Sequence, residues 1–230
     1  MAASKPGRWC FAWFAKGPGS GTDRAALQKN AKWTKGETIT VSFLDGDPAL
    51  QEKVKAAALK WTAPGLANLR LQFRKDNTDT DVRISFKFSG SWSSVGTTCR
   101  QVPAPQPTMN YGWLDKNSTQ AEIEEVVLHE FGHALGLIHE HQNPAGGIKW
   151  NKKKVIEDLS GPPNNWDTET IAFNVFEPAT KKETNFTGKM DVDSIMMYPF
   201  PASWTTDGFS TKTNGKLSAT DKEFIHKQYP

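Results

Sequence analysis

An α+β fold in two lobes is what this 230-residue chain predicts, and three observations carry it. Short runs of alternating apolar and polar residues recur between residues 37 and 114, broken by one helical pattern. A longer helical pattern starts near residue 118 and runs into a stretch crowded with histidine. After Pro144 the texture changes to Pro, Gly, Asn, Thr and Lys, and a clear helical pattern returns only at the end of the chain. The expected layout is an extension over residues 1–36 and a packed domain over 37–230, with lobes 37–136 and 137–230. A chain of this length can bury a core large enough for both lobes.

The elements follow in order. "ETITVSFL" (37–44) puts Ile39, Val41 and Phe43 on one side of a strand. Asp47 before Pro48 caps a helix reaching about Thr62, with Leu50, Val54, Ala57, Ala58 and Trp61 on its apolar face. "LRLQFRK" (69–75) and "DVRISFKF" (81–88) are two more alternating strands. "PTMNYGWL" (107–114) is a shorter one, and its leading proline suits a sheet edge. Ser118 or Thr119 can cap the long helix, whose apolar positions are Ile123, Val126, Val127, Phe131 and Leu135. Beyond it, modest helices are expected at about 151–159 and 168–175, and Ser218 can cap a closing helix carrying Phe224, Ile225 and Tyr229.

Composition removes several functions. The net charge is only +3, and the lysines are scattered apart from Lys152–Lys154, so nucleic acid is not an expected partner. No apolar run approaches membrane-spanning length, and the start lacks the apolar core of a signal peptide.

Four of the five histidines lie in "HEFGHALGLIHEHQNP" (129–144). On a helix His129 and His133, four apart, project side by side and can ligate one ion. Glu130 is then next to the first ligand, within reach of a metal-bound water. Gly136 lets the backbone leave the helix in a left-handed conformation, bringing His139 round as a third nitrogen ligand. Three imidazoles leave one tetrahedral position open, the arrangement of a catalytic zinc site. His141 suits a supporting role, and His226, on the closing helix, a structural or solvated one.

These residues resemble the zinc signature of the metzincin peptidases, and Glu140 after the third histidine points to the astacin-like branch. "SIMMY" (194–198) is similar to the astacin Met-turn, with Met196 beneath the metal and Tyr198 as the tyrosine that stabilises the transition state. "SGSWSSVG" (89–96) resembles a further astacin segment, although Ser91 stands where those proteins carry a cysteine. The resemblance implies a twisted, mainly parallel sheet with an edge strand and two long helices, and a mostly irregular second lobe with a closing helix. It implies a zinc endopeptidase with one catalytic ion, Glu130 as general base, and protein or peptide substrates. A monomer acting outside the cell is expected. Met109, Asn110 and Tyr111 are the expected edge strand for an extended substrate, and Glu140 the expected support behind the ligands. Two other readings stay open: a silent zinc-dependent binding module, and a latent precursor activated by loss of the extension. Cys10 and Cys99 are the chain's two cysteines. They can pair as a disulfide, Cys10 can block the zinc, or both can be free thiols.

Overall fold

The computed structural model describes residues 31–75, 78–162, 164–179, 185 and 187–230, together with the backbone of 11–13. Its first lobe is a six-stranded sheet. The strands are β1 (Phe11–Trp13), β2 (Thr38–Phe43), β3 (Arg70–Phe73), β4 (Val82–Ser85), β5 (Ser91–Ser94) and β6 (Met109–Tyr111), in the order β1-β5-β6-β4-β2-β3. All neighbouring pairs are parallel except β5 with β6. Two helices pack on the sheet and each other: α1 (Pro48–Ala58), extended by a tight turn at Leu59–Thr62, and α2 (Gln120–Ala134).

Local chemistry sets these elements. Asp47 caps α1 by accepting from Ala49 N and Leu50 N, and Pro48 opens the helix where its missing N–H costs nothing. Thr119, not Ser118, caps α2, in a reciprocal box with Glu122. β4 sits in the middle of the sheet and is buried on both faces. The burial of Arg83 there is compensated by three carbonyls, those of Thr80, Gln106 and Val102, which accept at 2.6, 2.6 and 2.7 Å.

One expectation is overturned. Met109–Tyr111 is not an edge strand; β6 lies between β4 and β5, and all three residues are buried. Pro107 precedes the paired residues, so it removes no bond from the ladder, and its position carried no information about the edge. The antiparallel partner of β6 is β5, from the Ser-rich segment 91–94, in register Ser91 with Tyr111 and Ser93 with Met109. β1 in turn pairs along β5, Phe11 opposite Trp92.

The packed core begins ahead of residue 37. Ala31 and Trp33 are buried, and Trp33 donates its indole N–H to Ala134 O at 2.8 Å, satisfying a terminal carbonyl of α2. The second lobe carries α3 (Lys152–Ser160), α4 (Thr168–Ile171), which widens into a five-residue turn at Ala172–Phe176, and the closing helix α5 (Ala219–Gln228). Its own core gathers Val155, Leu159, Ile171, Tyr198 and Phe200, while Trp113 packs against the cores of both lobes.

Candidate metal centre and cleft

The last two turns of α2 present His129 and His133, with ring centroids 4.9 Å apart. Gly136, at φ +95°, reverses the chain, and His139 returns to lie 4.6 Å from His133 and 5.3 Å from His129 between ring centroids. One nitrogen from each of the three rings lies within 4.8 Å of the others.

Carbonyls orient two of the rings. His129 Nδ1 meets Ile195 O at 2.7 Å and His133 Nδ1 meets Leu137 O at 2.9 Å. A carbonyl only accepts, so each Nδ1 carries the proton and each Nε2 keeps its lone pair. His133 Nε2 lies 3.1 Å from His139 Nε2, near the roughly 3.3 Å separation of two nitrogens on one tetrahedral zinc with bonds of about 2.0–2.1 Å. Burial pushes the imidazoles far down, His129 to about 4 and His133 to about 3, and His139 well below its usual value with help from its neighbours' charges. Neutral, convergent imidazole nitrogens in a buried site are the donor set zinc takes. The residues fit the ion.

Facing the helix is the turn Ser194–Tyr198. Ser194 Oγ donates to Asp221 Oδ1 at 2.6 Å, and Ile195 N to Asp221 Oδ2 at 2.8 Å. Met196 N donates to Ser194 Oγ at 3.0 Å, and the Met196 side chain is buried under α2. A methyl group added at Gly132 would stand 2.3 Å from Met196 Sδ, so only glycine admits the methionine there. Tyr198 stacks on His139, with ring centroids 3.9 Å apart, and on His141 at 4.7 Å.

Glu130 is buried and lines a pocket together with His129. Its charge, after burial itself, raises the phenol pKa of Tyr111, so the tyrosine expected on a substrate edge is an interior neighbour of Glu130 instead. Glu140 accepts from Asn143 Nδ2 at 3.0 Å and from Asp191 N at 2.9 Å, and burial lifts its carboxyl to about 7. With Asp191, Asp221 and Lys32 it lines a cavity behind His139. His141 lies outside the three-ring cluster, its Nε2 at 2.9 Å from Asn174 O. His226 is exposed, its Nδ1 3.3 Å from Leu66 O. Cys99 is a buried thiol pushed up to about 12 by burial. Cys10 lies outside the described residues, and the choice among its three readings goes with it.

Asp221 is the site residue that sequence reasoning missed. Its signal was present in "SATD", since a capping aspartate three residues after Ser218 was legible, but the same carboxylate also clamps the turn 26 residues upstream.

Comparison with known proteins agrees with this geometry. The family model for Astacin (peptidase family M12A) matches residues 25–227. The zinc metalloproteinase nas-24 of Caenorhabditis elegans is 30% identical over 173 residues, 73% of this chain and 36% of that protein. The chain thus spans about a third of the length of that curated relative. A solved structure of myroilysin superposes with a TM-score of 0.83 at 39% identity, over 88% of this chain and 97% of that one. The hatching enzyme HCE-1 of Oryzias latipes (Medaka fish), a zinc-protease, shares the fold at TM-score 0.55 and 16% identity, over 87% of this chain and 95% of its own.

Proposed function

The chain belongs to the astacin family, and from that premise we propose that it is a zinc endopeptidase hydrolysing peptide bonds in proteins outside the cell. The observation that carries the reading is the convergence of His129, His133 and His139, with two of the rings oriented by carbonyls. His129, His133 and His139 would hold the zinc, which when bound would supply Lewis-acid chemistry, bringing the pKa of a water from roughly 15.7 towards 7 and polarising a carbonyl oxygen. Glu130 takes a proton from the attacking water and returns it to the leaving amine. The Tyr198 hydroxyl donates to the oxyanion as it develops. Met196 and Glu140 hold the ligands from behind, one under α2 and one beside His139. Substrates are unfolded or extended protein segments, and one ion per chain suffices.

Casein hydrolysis by wild type and by Glu130→Ala, each checked for one zinc per chain, tests the reading. Cleavage by wild type alone supports it. Equal turnover by the zinc-loaded variant sinks the role of Glu130, and an inert zinc-loaded wild type favours the silent binding module.

One observation favours a second reading, the latent precursor. β1 occupies the outer edge of β5, where an extended substrate would pair through its backbone. Loss of the first 30 residues then raises casein hydrolysis; unchanged or lower activity of a folded shortened chain argues against latency.

A further inference from the structure

Tyr198 has a second aromatic neighbour to which hydrolysis assigns no role. His141 lies outside the three-ring cluster, yet its buried ring sits against Tyr198. The centroids of Tyr198, His139 and His141 form a triangle with sides of 3.9, 4.7 and 5.4 Å, and the ring planes lie within 30° of one another. Tyr198 is thus stacked across both imidazoles. His141 is itself pinned. Its Nε2–H donates to Asn174 O at 2.9 Å, and Trp150 stands nearly at right angles to it, with ring centroids 6.0 Å apart. The acceptor comes from the wide turn Ala172–Phe176, for a reason written in the sequence. Glu177 N reaches back to Ala172 O, Pro178 has no N–H, and Ala179 N donates to Gln142 O at 2.9 Å. The carbonyls of Phe173 and Asn174 are therefore left for side chains, and Gln142 and His141 take them in turn.

We propose that His141 is a positioning residue for Tyr198, its ring and that of His139 together fixing the tilt at which the tyrosine hydroxyl meets the developing oxyanion. The inference rests on the peptidase reading for the oxyanion, and on the ring geometry alone for the positioning. Tyr198 ends a turn that belongs to no helix or strand, so no backbone ladder sets the direction of its side chain. His139 supplies one stacked face but is shared with the metal site. His141 enlarges that platform and ties it, through Asn174 O, to the second lobe. Offset stacked rings attract one another and hold a preferred geometry. A hydroxyl misplaced by about 1 Å can cost about 10²-fold in rate. Removing the His141 ring should therefore slow turnover without weakening substrate binding.

Three variants of the zinc-loaded full chain test it. His141→Gln removes the ring and keeps a donor, His141→Phe keeps a ring and removes the donor, and Tyr198→Phe removes the hydroxyl to be positioned. His141→Gln should lower kcat about tenfold, part of the 10²- to 10³-fold that a whole oxyanion donor supplies, with KM within about twofold. His141→Phe should recover most of that loss even where its melting temperature is the lower. Added to Tyr198→Phe, His141→Gln should do little more. A readout free of turnover comes from fluorotyrosine in place of the chain's three tyrosines. The fluorine resonance that disappears in Tyr198→Phe should shift in His141→Gln, while those of Tyr111 and Tyr229 hold. An unmoved Tyr198 signal, a loss confined to KM, or an undiminished loss in the Tyr198→Phe background overturns the proposal. So does a kcat that follows melting temperature rather than the ring. If the glutamine variant does not fold, His141→Leu takes its place with the same expectations, and failure of both assigns His141 to stability and overturns the proposal. A Tyr198 signal that depends on His141 in a protein that cuts nothing supports the positioning and sinks the peptidase reading.

Discussion

The helical wall of the metal centre and the irregular wall facing it are held by different kinds of bond. His129, Glu130 and His133 stand on α2, where the backbone ladder fixes their relative positions and a capping box starts the register. Opposite them, Ser194–Tyr198 belongs to no helix or strand. Its shape is set by hydrogen bonds from Ser194 Oγ and Ile195 N to Asp221, by Met196 O accepting from Glu140 N at 2.9 Å, and by Ile195 O accepting from His129. One wall is specified by neighbours four residues apart, the other by partners up to 66 residues away. The chemistry should therefore be lost by touching the first wall, and the architecture by touching the second.

The largest effect tests the first half of that contrast. Glu130→Gln keeps the shape of the buried side chain and removes the proposed base, so hydrolysis should fall about 10²- to 10⁴-fold. Zinc content and melting temperature should stay near wild type. A variant that loses its zinc or several degrees of stability would mean that Glu130 also holds the helical wall together.

Next comes the clamp. Asp221→Ala removes the acceptor of two donors in the turn and half of the cap on α5. With those donors left buried, denaturant unfolding should show a loss of about 3 kcal/mol. Zinc affinity should fall as well, because Ile195 O orients His129 through the same turn. If stability drops and zinc affinity does not, the two walls are less coupled than this geometry requires.

Gly132→Ala probes the seam between the walls. Alanine gains about 1 kcal/mol of helix propensity over glycine, but its methyl group meets Met196 Sδ at 2.3 Å. Overpacking costs about 1–3 kcal/mol, so the net should be a loss of about 1 kcal/mol, accompanied by lower activity from a displaced Met-turn. A stabilised, fully active variant would show that Met196 moves aside freely and supports nothing.

The same contrast explains what the sequence revealed. The helical wall was legible because a period of four, a glycine and a third histidine are all local, and so were the caps at Asp47 and Ser218. Picking out the three clustered histidines needed no knowledge of the sheet. β5 was missed as a strand because Ser91, Ser93 and Ser94 show no apolar alternation, and those serines are buried where β1, β6 and α2 lie against the strand. The edge assigned to Met109–Tyr111 failed for the complementary reason, since three buried residues look alike on an inner or outer strand until the neighbour is known. Asp221 could be read as a cap but not as a clamp, because its second role depends on where residues 194–195 come to lie.

The smallest effect lies far from both walls and separates surface electrostatics from the site. Arg100 pairs with Asp81 and Glu37, each at 2.8 Å, and stacks over Trp33. Burial pushes the Asp81 carboxyl up, but bonds from Thr40 and Arg100 outweigh it and leave the group below its usual value; Glu37 is lowered against the same opposition by Thr34 and Arg100. Carboxyls depressed in the folded state stabilise it above their unfolded values, about 3.9 and 4.3, and that stability is lost as pH falls through the lower folded values. Arg100→Gln should therefore cost about 0.5–1 kcal/mol near pH 7, the modest figure reflecting a half-exposed guanidinium. The gap between the two proteins should close as pH falls below about 4. Measured with a chelator present, zinc release drops out, and the site histidines, pushed to about 4 and about 3 for His129 and His133, titrate alike in both proteins. A gap that persists at pH 3 would assign the contribution of Arg100 to its packing on Trp33 rather than to its charge.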